Sequence, residues 1–293
     1  MKTYEGAASV LSAQASLGEC PVWSVRERAL YFADILAPAI HRFDPVSRAH
    51  GILPMPEHVG CFGLRRDGGF IAAMRSGVFL LDDSGRVERK VADNPTDPAH
   101  SRFNDGRVDA WGRFWCGTIW QPRDQDRAVL CRLDPDFSFR VIAGDLLVSN
   151  GLAFSPARDR MYHTDTPKHV LYVYPLDPVT GHLGGRTVLK RFPEGQGRPD
   201  GAAVDAEGCY WTALFDGGRV VRLSPTGEVL AEVELPVRWP TMVAFGGPDL
   251  KTLFVTSSRE NRSAQELAQY PLSGDLFAVT VDVSGVPEPE FAG

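Results

Sequence analysis

Six copies of one short motif recur along the chain, and they constrain its fold more than any other feature. Each copy joins a turn, usually carrying Gly or Asp, to a strand centred on an aromatic or apolar residue. The central residues are Tyr31, Ile71, Trp115, Tyr162, Trp211 and Phe254. Neighbouring copies lie 40 to 49 residues apart. A period of this length filled with short strands is typical of propeller blades.

A second pattern raises the predicted number of strands to four per repeat. After each central strand comes an alternating run of apolar and polar residues that ends near Asp, Ser or Pro, as in residues 219–225. Alternation bounded by turn residues indicates a half-buried strand. One further strand follows the turn, and an apolar strand precedes the central one. We therefore predict an all-β, six-bladed β-propeller with four-stranded antiparallel blades, forming a single domain over residues 1–293.

The two ends of the chain are predicted to meet in the last blade. The sixth repeat ends near Asp282, so residues 8–12 are expected to add a strand to it and close the ring. Closure removes an exposed sheet edge. No segment of ~10 residues shows the 3.6-residue period of a helix. The nearest candidate, residues 263–269, is predicted to be a loop or a single turn.

Charge and composition narrow the classes of partner. A formal net charge of -6 disfavours nucleic acid and anionic membranes. No stretch approaches ~18 apolar residues and the first twenty residues lack the features of a secretory signal, so we expect a cytoplasmic protein. The five cysteines are widely spaced without a Cys-x-x-Cys pair, which predicts reduced thiols. We expect a monomer or a weak homo-oligomer.

Four polar residues at equivalent positions in four repeats mark the predicted functional site. They are Glu19, Asn104, Asn150 and Asp200. Each precedes the central residue of its repeat by 11 or 12 residues. In a propeller, equivalent positions on the innermost strands converge on the central axis. We therefore expect the four side chains to meet at one mouth of the channel.

The donor atoms of this cluster favour a divalent cation. Carboxylate and amide oxygens suit Ca²⁺, Mg²⁺ or Mn²⁺, and they also hold Fe²⁺ or Zn²⁺. Glu19 and Asp200 would be costly to place together in a partly enclosed mouth unless a cation neutralised them. The alternative is that the four side chains only cap turns. Their matched positions favour a site for one divalent metal cation at the central channel, with its identity open.

At these residues the chain resembles the SMP-30/gluconolactonase/luciferin-regenerating-enzyme family, and within it bacterial sugar-lactone lactonases. The matching segments include Leu17-Gly18-Glu19-Cys20-Pro21-Val22-Trp23, Arg102-Phe103-Asn104-Asp105-Gly106-Arg107-Val108-Asp109, Val148-Ser149-Asn150-Gly151-Leu152 and Arg198-Pro199-Asp200-Gly201. The resemblance runs in order over nearly the whole chain. It implies a propeller with one axial divalent cation, held by Glu19, Asn150 and Asp200. It also implies that Arg102 and Asn104 bind the substrate.

One loop departs from the family pattern. Some relatives carry an acidic residue that contacts sugar after the position of Gly117-Thr118, whereas this chain continues Ile119-Trp120-Gln121-Pro122-Arg123. The substrate contacts of this loop therefore cannot be carried over. The resemblance favours an aldonolactone of five or six carbons without choosing between them.

Together these observations predict a metal-dependent hydrolase that opens an aldono-1,4- or 1,5-lactone to the aldonic acid. A divalent cation can polarise the carbonyl and activate water, with Asp200 as ligand and candidate base. The alternatives are a hydrolase of non-sugar lactones or phosphotriesters, and a non-catalytic calcium-binding regulatory propeller. No Gly-x-Ser-x-Gly elbow is present to indicate a serine hydrolase. The segment His163-Thr164-Asp165 is interpreted as structural.

Overall fold

Six β-sheets surround a central channel in the computed structural model, which describes residues 1–293. Blades one to three consist of β3 (Gly18–Ser24), β4 (Ala29–Asp34), β5 (Ala39–Phe43), β6 (His50–Pro54), β7 (Val59–Leu64), β8 (Phe70–Met74), β9 (Gly77–Leu81), β10 (Val87–Asp93), β11 (Ser101–Val108), β12 (Phe114–Trp120), β13 (Ala128–Leu133) and β14 (Phe139–Leu146). Blades four and five consist of β15 (Ser149–Phe154), β16 (Arg160–Asp165), β17 (Val170–Pro175), β18 (Thr187–Arg191), β19 (Arg198–Val204), β20 (Tyr210–Phe215), β21 (Arg219–Leu223) and β22 (Val229–Glu234). Blade six contains β23 (Pro240–Gly246), β24 (Thr252–Ser257) and β25 (Leu276–Thr280). The predicted six-bladed propeller with four-stranded antiparallel blades is confirmed.

The N-terminal segment closes the ring as expected. Strand β2 (Ala8–Leu11) pairs antiparallel with β25 and becomes the outermost strand of blade six. An additional strand, β1 (Lys2–Tyr4), pairs in parallel with β22 at the outer edge of blade five. The sequence did not predict β1, because three residues are too few to show a strand pattern. The N-terminus therefore covers the outer edges of two blades.

The central residues of the repeat pack between blades. All six lie on the second strand of their blade and are buried. Trp115 lies 5.8 Å from Phe154 of the next blade, measured between ring centroids, and Trp211 lies 5.8 Å from Phe245. Blade six meets blade one in the same way, because Phe254 stacks on Trp23. Aromatic pairs of this kind add to the apolar burial that holds the blades together.

Beta-bulges interrupt the first strand of every blade close to the mouth. In the four blades that carry the predicted polar residues, the shift in register begins at Glu19, Phe103, Asn150 and Pro199. Cys20 (φ 48°) and Gly151 (φ 60°) directly follow two of these residues in the left-handed region. A bulge bends its strand and re-aims nearby side chains. Here it turns the polar residues towards the axis.

Two short helical segments lie at the mouth. A 3₁₀ turn spans Thr166–Lys168, and helix α1 spans Ala264–Gln269. Ser263 and Glu266 form a capping box at the start of α1, which stabilises its first turn. The sequence predicted a loop or a single turn here, whereas the structure has a six-residue helix. A helix this short with no buried face leaves little periodic signal in the sequence. Neither segment is long enough to cross a membrane.

The C-terminal segment crosses the opposite end of the channel. Glu288 forms a buried ion pair with Arg107 of β11, and Phe291 N donates a hydrogen bond to Leu64 O at 2.8 Å. A cavity of ≈ 480 Å³ lies beside this segment, well below the predicted polar cluster. The polar cluster is therefore approached from the mouth.

All five cysteines are buried and none is disulfide-bonded.

Candidate active site

Hydrogen bonds join three of the four predicted site residues at the mouth. Asn104 Nδ2 donates to Asn150 Oδ1 at 3.0 Å, and Asn150 Nδ2 donates to Asp200 Oδ1. These residues lie on the innermost strands of blades three, four and five. All are buried, as is Glu19 on the innermost strand of blade one. The structure therefore gathers side chains from four blades around one end of the channel.

Two carboxyl groups in this cluster have strongly perturbed ionisation. Burial raises the pKa of Asp200 to about 8, and the negative charge of Asp105 adds to the shift. Burial also raises the pKa of Glu19 well above its usual range, followed by the charges of Asp200 and Asp105. Neither Glu19 nor Asp200 forms an ion pair with a lysine or arginine, although Arg198 and Arg123 partly offset the shift at Asp200. Two buried carboxyl groups without a cationic partner are what a bound cation would stabilise.

The hydrogen bonds of Asn150 leave one oxygen lone pair available. Its Nδ2 donates to Thr166 Oγ1 at 3.0 Å and to Asp200, and its Oδ1 accepts from Asn104. An amide oxygen has two lone pairs, so Oδ1 can still bind a cation. Thr166 in turn donates to Pro199 O at 2.8 Å, which links blade four to blade five. The donor set of Glu19, Asn150 and Asp200 thus fits a divalent cation.

This donor set contains only two ionisable ligands. No group of three or more His, Cys, Asp or Glu side chains is arranged to hold a metal ion. The predicted site has two carboxylates and one amide, so it does not contain three such side chains. Hard cations accept such mixed oxygen ligands and complete their coordination with water.

Arg102, which the resemblance implies as a substrate-binding residue, lies next to Asn104 in the cluster. The residue is buried, and its Nη1 donates to Phe103 O at 2.9 Å and to Asn104 Oδ1 at 2.8 Å. Its Nε is buried without a hydrogen-bond partner. Burial lowers the pKa of Arg102 to about 10. A buried, unsatisfied donor beside the carboxyl groups is suited to an oxygen-rich ligand.

Asn104 links this arginine to the predicted ligands. Its Oδ1 accepts from Arg102, and its Nδ2 donates to Ser149 O at 3.1 Å and to Asn150 Oδ1. Both amide hydrogens are therefore used within the protein. The second lone pair of Oδ1 remains for a substrate hydroxyl. In this arrangement Asn104 orients both Arg102 and Asn150.

The sequence missed several residues that contribute to the site. Asp105, buried beneath the cluster, accepts from Gly106 N at 2.7 Å and from Leu152 N at 2.9 Å, and burial raises its pKa to about 6. The sequence carried no signal for Thr166, because its contacts with Asn150 and Pro199 depend on how blades four and five pack together. Arg198 had a signal, because Arg198-x-Asp200 repeats the spacing of Arg102-x-Asn104.

The segment 163–165 is structural, as interpreted from the sequence. His163 is fully buried and shares a 2.7 Å hydrogen bond with Ser149 Oγ. Asp165 accepts from Leu147 N at 3.1 Å and from Val148 N at 3.2 Å, which holds the chain entering blade four. Because both side chains hold the blade together, neither is free for catalysis.

The mouth of this propeller gathers buried carboxyl, amide and guanidinium groups, a set suited to a small, oxygen-rich ligand. Residues 17–259 match the SMP-30/Gluconolactonase/LRE-like region, and the chain belongs to this family. It is 63% identical over 278 residues to a 6-deoxy-6-sulfogluconolactonase of Pseudomonas putida, covering 94% of this chain and 95% of that one. It is 34% identical over 285 residues to a pentonolactonase of Haloferax volcanii, covering 95% and 96%.

A solved structure gives the same picture of the fold. The chain superposes on a calcium-binding protein, regucalcin, of Agrobacterium tumefaciens with a TM-score of 0.95 and 26% identity, covering 99% of both chains. The lactonase relatives settle the class of activity among the possibilities left open by the sequence. The protein is a lactonase, that is, a carboxylic-ester hydrolase.

Proposed function

We propose that the protein hydrolyses an aldonolactone with the help of one divalent cation held by Glu19, Asn150 and Asp200. One observation carries the proposal: oxygen ligands from three blades gather at the mouth, and the two buried carboxyl groups among them lack a cationic partner. A divalent cation bound there would polarise the lactone carbonyl and increase the acidity of water. Its identity among Ca, Zn, Mg, Mn and Fe(II) stays open.

The side chains around the cluster divide the remaining work. Asp200 accepts a proton from the attacking water, which a cation held by the same carboxylate would place beside it. Arg102 binds substrate oxygen through its unsatisfied Nε, and Asn104 orients a hydroxyl through its free lone pair. Water attacks the carbonyl carbon as Asp200 takes one of its protons, the ring C–O bond breaks, and the ring oxygen takes up that proton and leaves as a hydroxyl group.

The names of the relatives suggest which lactones to examine first. The relative with 63% identity is a 6-deoxy-6-sulfogluconolactonase, and the pentonolactonase has 34% identity. We therefore infer a six-carbon aldonolactone as the preferred substrate and pentonolactones as the comparison.

The five unpaired cysteines support a reducing compartment such as the cytoplasm.

The decisive experiment combines a change at Asp200 with controlled metal loading. Asp200→Asn keeps the shape of the side chain but removes the base and one anionic ligand. We expect turnover of gluconolactone to fall at least about 1,000-fold, because a base and a ligand are lost together. Circular dichroism and thermal unfolding should show an intact propeller. Unchanged turnover would refute the assigned role.

Metal dependence is tested on the unmodified protein. Chelation should abolish activity, and reloading with single metals should restore it and identify the cation. A panel of pentonolactones, hexonolactones and paraoxon-like esters then separates sugar lactonase activity from phosphotriester hydrolysis. Full activity in chelator would contradict the proposal.

A further inference from the structure

Four arginines from three blades lie at the mouth of the channel. They are Arg75, Arg102, Arg123 and Arg198, which we call the mouth arginines. Arg102 and Arg198 are near the start of an innermost strand, each two residues before a site residue. Arg75 and Arg123 follow the second strands of blades two and three, which end at the same mouth.

Arg123 differs from the others because its guanidinium has no partner. The side chain is exposed and makes no hydrogen bond or ion pair. By contrast, Arg198 Nη2 donates to Asp216 Oδ2 at 2.6 Å, and Arg75 Nη1 donates to Pro98 O at 3.1 Å. Asp124, next in the sequence, does not pair with Arg123. The charge of Arg123 is therefore available to a ligand.

Two tethers fix the loop that carries Arg123 over the mouth. At one end, Gln121 N donates a hydrogen bond to His100 O at 2.8 Å. At the other end, Asp126 forms a 2.9 Å ion pair with Lys168, which follows the second strand of blade four. The loop consequently bridges blades three and four beside Asn150. Lys168 also pairs with the buried Asp165, at 3.1 Å.

The second tether brings the loop close to the predicted ligands. Lys168, the partner of Asp126, ends the 3₁₀ turn that begins at Thr166. Thr166 Oγ1 accepts a hydrogen bond from Asn150 Nδ2 at 3.0 Å. The unpaired guanidinium of Arg123 is therefore carried on a loop that is anchored beside the site. This loop is also the segment in which the chain departs from relatives that carry an acidic, sugar-contacting residue.

We propose that Arg123 binds an anionic group at the end of the sugar lactone remote from its carbonyl. The inference rests on the proposed lactonase function and names the substrate class as aldonolactones with a sulfonate or phosphate group. Guanidinium groups match the oxygens of such tetrahedral anions through paired, charge-assisted hydrogen bonds. An acidic residue at this position would instead repel them. The tethered loop holds the arginine in place before the substrate arrives.

The test compares substrates that differ only at carbon six. The ratio of kcat/KM for 6-deoxy-6-sulfogluconolactone to kcat/KM for gluconolactone is measured in the unmodified protein, Arg123→Ala, Arg123→Lys and Arg123→Glu. Loss of a charge-assisted contact costs about 10–100-fold in this ratio for Arg123→Ala. Arg123→Lys should retain part of the preference, and Arg123→Glu should lose more. Arg86→Ala is the matched control, because Arg86 is exposed in blade two with no side-chain partner.

The outcomes separate this inference from the proposed function. A ratio unchanged in Arg123→Ala would overturn the inference even if the protein is an active lactonase. If the unmodified protein opens neither lactone, calorimetric binding of 6-phosphogluconate and gluconate replaces the kinetics. Weaker binding of 6-phosphogluconate alone to Arg123→Ala would support the anion site, and equal loss for both ligands would refute it. Substituting 6-phosphogluconolactone in the kinetic comparison distinguishes a phosphate from a sulfonate.

Discussion

At the scale of single residues, the site is defined by charges that the fold buries without pairing. Glu19 accepts one hydrogen bond, from Cys20 N at 3.1 Å. After burial, the negative charge of Asp200 contributes most to the raised pKa of Glu19. Asp200 accepts one hydrogen bond, from Asn150. Carboxyl groups that only stabilised the fold would gain more from an arginine or from several backbone N–H groups, as Asp165 does. The cost of burying them is therefore expected to be offset by a ligand.

Changing Glu19 should have opposite effects on the free and metal-loaded protein. In chelator, Glu19→Gln removes one of two repelling carboxyl groups, so the melting temperature should rise or stay the same. With metal at about 100 times its Kd, the unmodified protein gains about 2.7 kcal/mol. The variant should lose most of this gain. Thermal unfolding with and without metal measures both effects.

The control for this prediction is Glu234→Gln, which alters an exposed glutamate with no side-chain partner. It should leave the metal-induced stabilisation intact. Equal stabilisation of Glu19→Gln and the control would remove Glu19 from the proposed ligand set.

At the scale of strands, polar pairs outside the site make stability depend on pH. His41 on β5 stacks on Phe32 with ring centroids 4.6 Å apart, and its Nδ1 shares a 3.0 Å hydrogen bond with His50 Nε2 on β6. Burial and, after it, the charge of His50 lower the pKa of His41 to about 4. Burial also lowers the pKa of His50. The pair is therefore neutral in the folded blade.

Stability should fall as the pH drops from about 6.5 towards 4. In that range unfolded histidines bind protons that the folded pair does not, so each contributes a slope of at most about 1.4 kcal/mol per pH unit. Above pH 6.5 both states are neutral and the contribution is constant. Urea unfolding at several pH values should show a flatter profile for His41→Phe. His182→Gln, at an exposed histidine, should leave the profile unchanged.

Sequence patterns predicted the strands well because each blade repeats the same alternation and the same buried central residue. They also predicted the meeting of Asn104, Asn150 and Asp200, since equal offsets in a radial repeat lead to one axis. Patterns could not supply the register shifts beside Glu19 and Asn150, which depend on packing between neighbouring blades. Nor could they place Arg123, whose position depends on an ion pair between segments of different blades.

Two recurring contacts within blades were also invisible in the sequence. Trp115 Nε1 donates to Asp109 Oδ2 at 2.8 Å, and Trp211 Nε1 donates to Asp205 Oδ2 at 2.8 Å. Each aspartate lies in the turn six residues before its tryptophan. The repeated spacing was present, but nothing in the sequence showed that the buried indole pointed back to the turn.

At the scale of the whole molecule, ring closure determines how the protein unfolds. Ser9 Oγ donates to Asp275 Oδ2 at 2.8 Å, and β2 covers the edge of β25, whose Leu276 and Phe277 are buried. Because residues 1–293 are predicted to form a single domain, we expect one cooperative unfolding transition. Closure by a non-covalent strand makes that transition sensitive to the N-terminus.

Truncation separates the two N-terminal strands. Removing residues 1–6 deletes β1 and leaves the ring closed, whereas removing residues 1–12 also deletes β2. The longer truncation should cost about 2–4 kcal/mol more, from lost ladder hydrogen bonds and exposed apolar surface, and should lower the melting temperature by about 5–15 °C. Calorimetry measures the difference. Equal melting temperatures would show that β2 does not hold the ring.

The pairing of β2 with β25 also has a consequence during translation. Residues 8–11 leave the ribosome well before their partner at 276–280, which emerges only after five whole blades. Until then, the outermost strand of blade six exists without the sheet to which it belongs. A nascent chain can accumulate finished blades but cannot complete the circle before β25 has been synthesised. The last step of folding is therefore a long-range one, which is slow and leaves an open edge exposed to aggregation meanwhile.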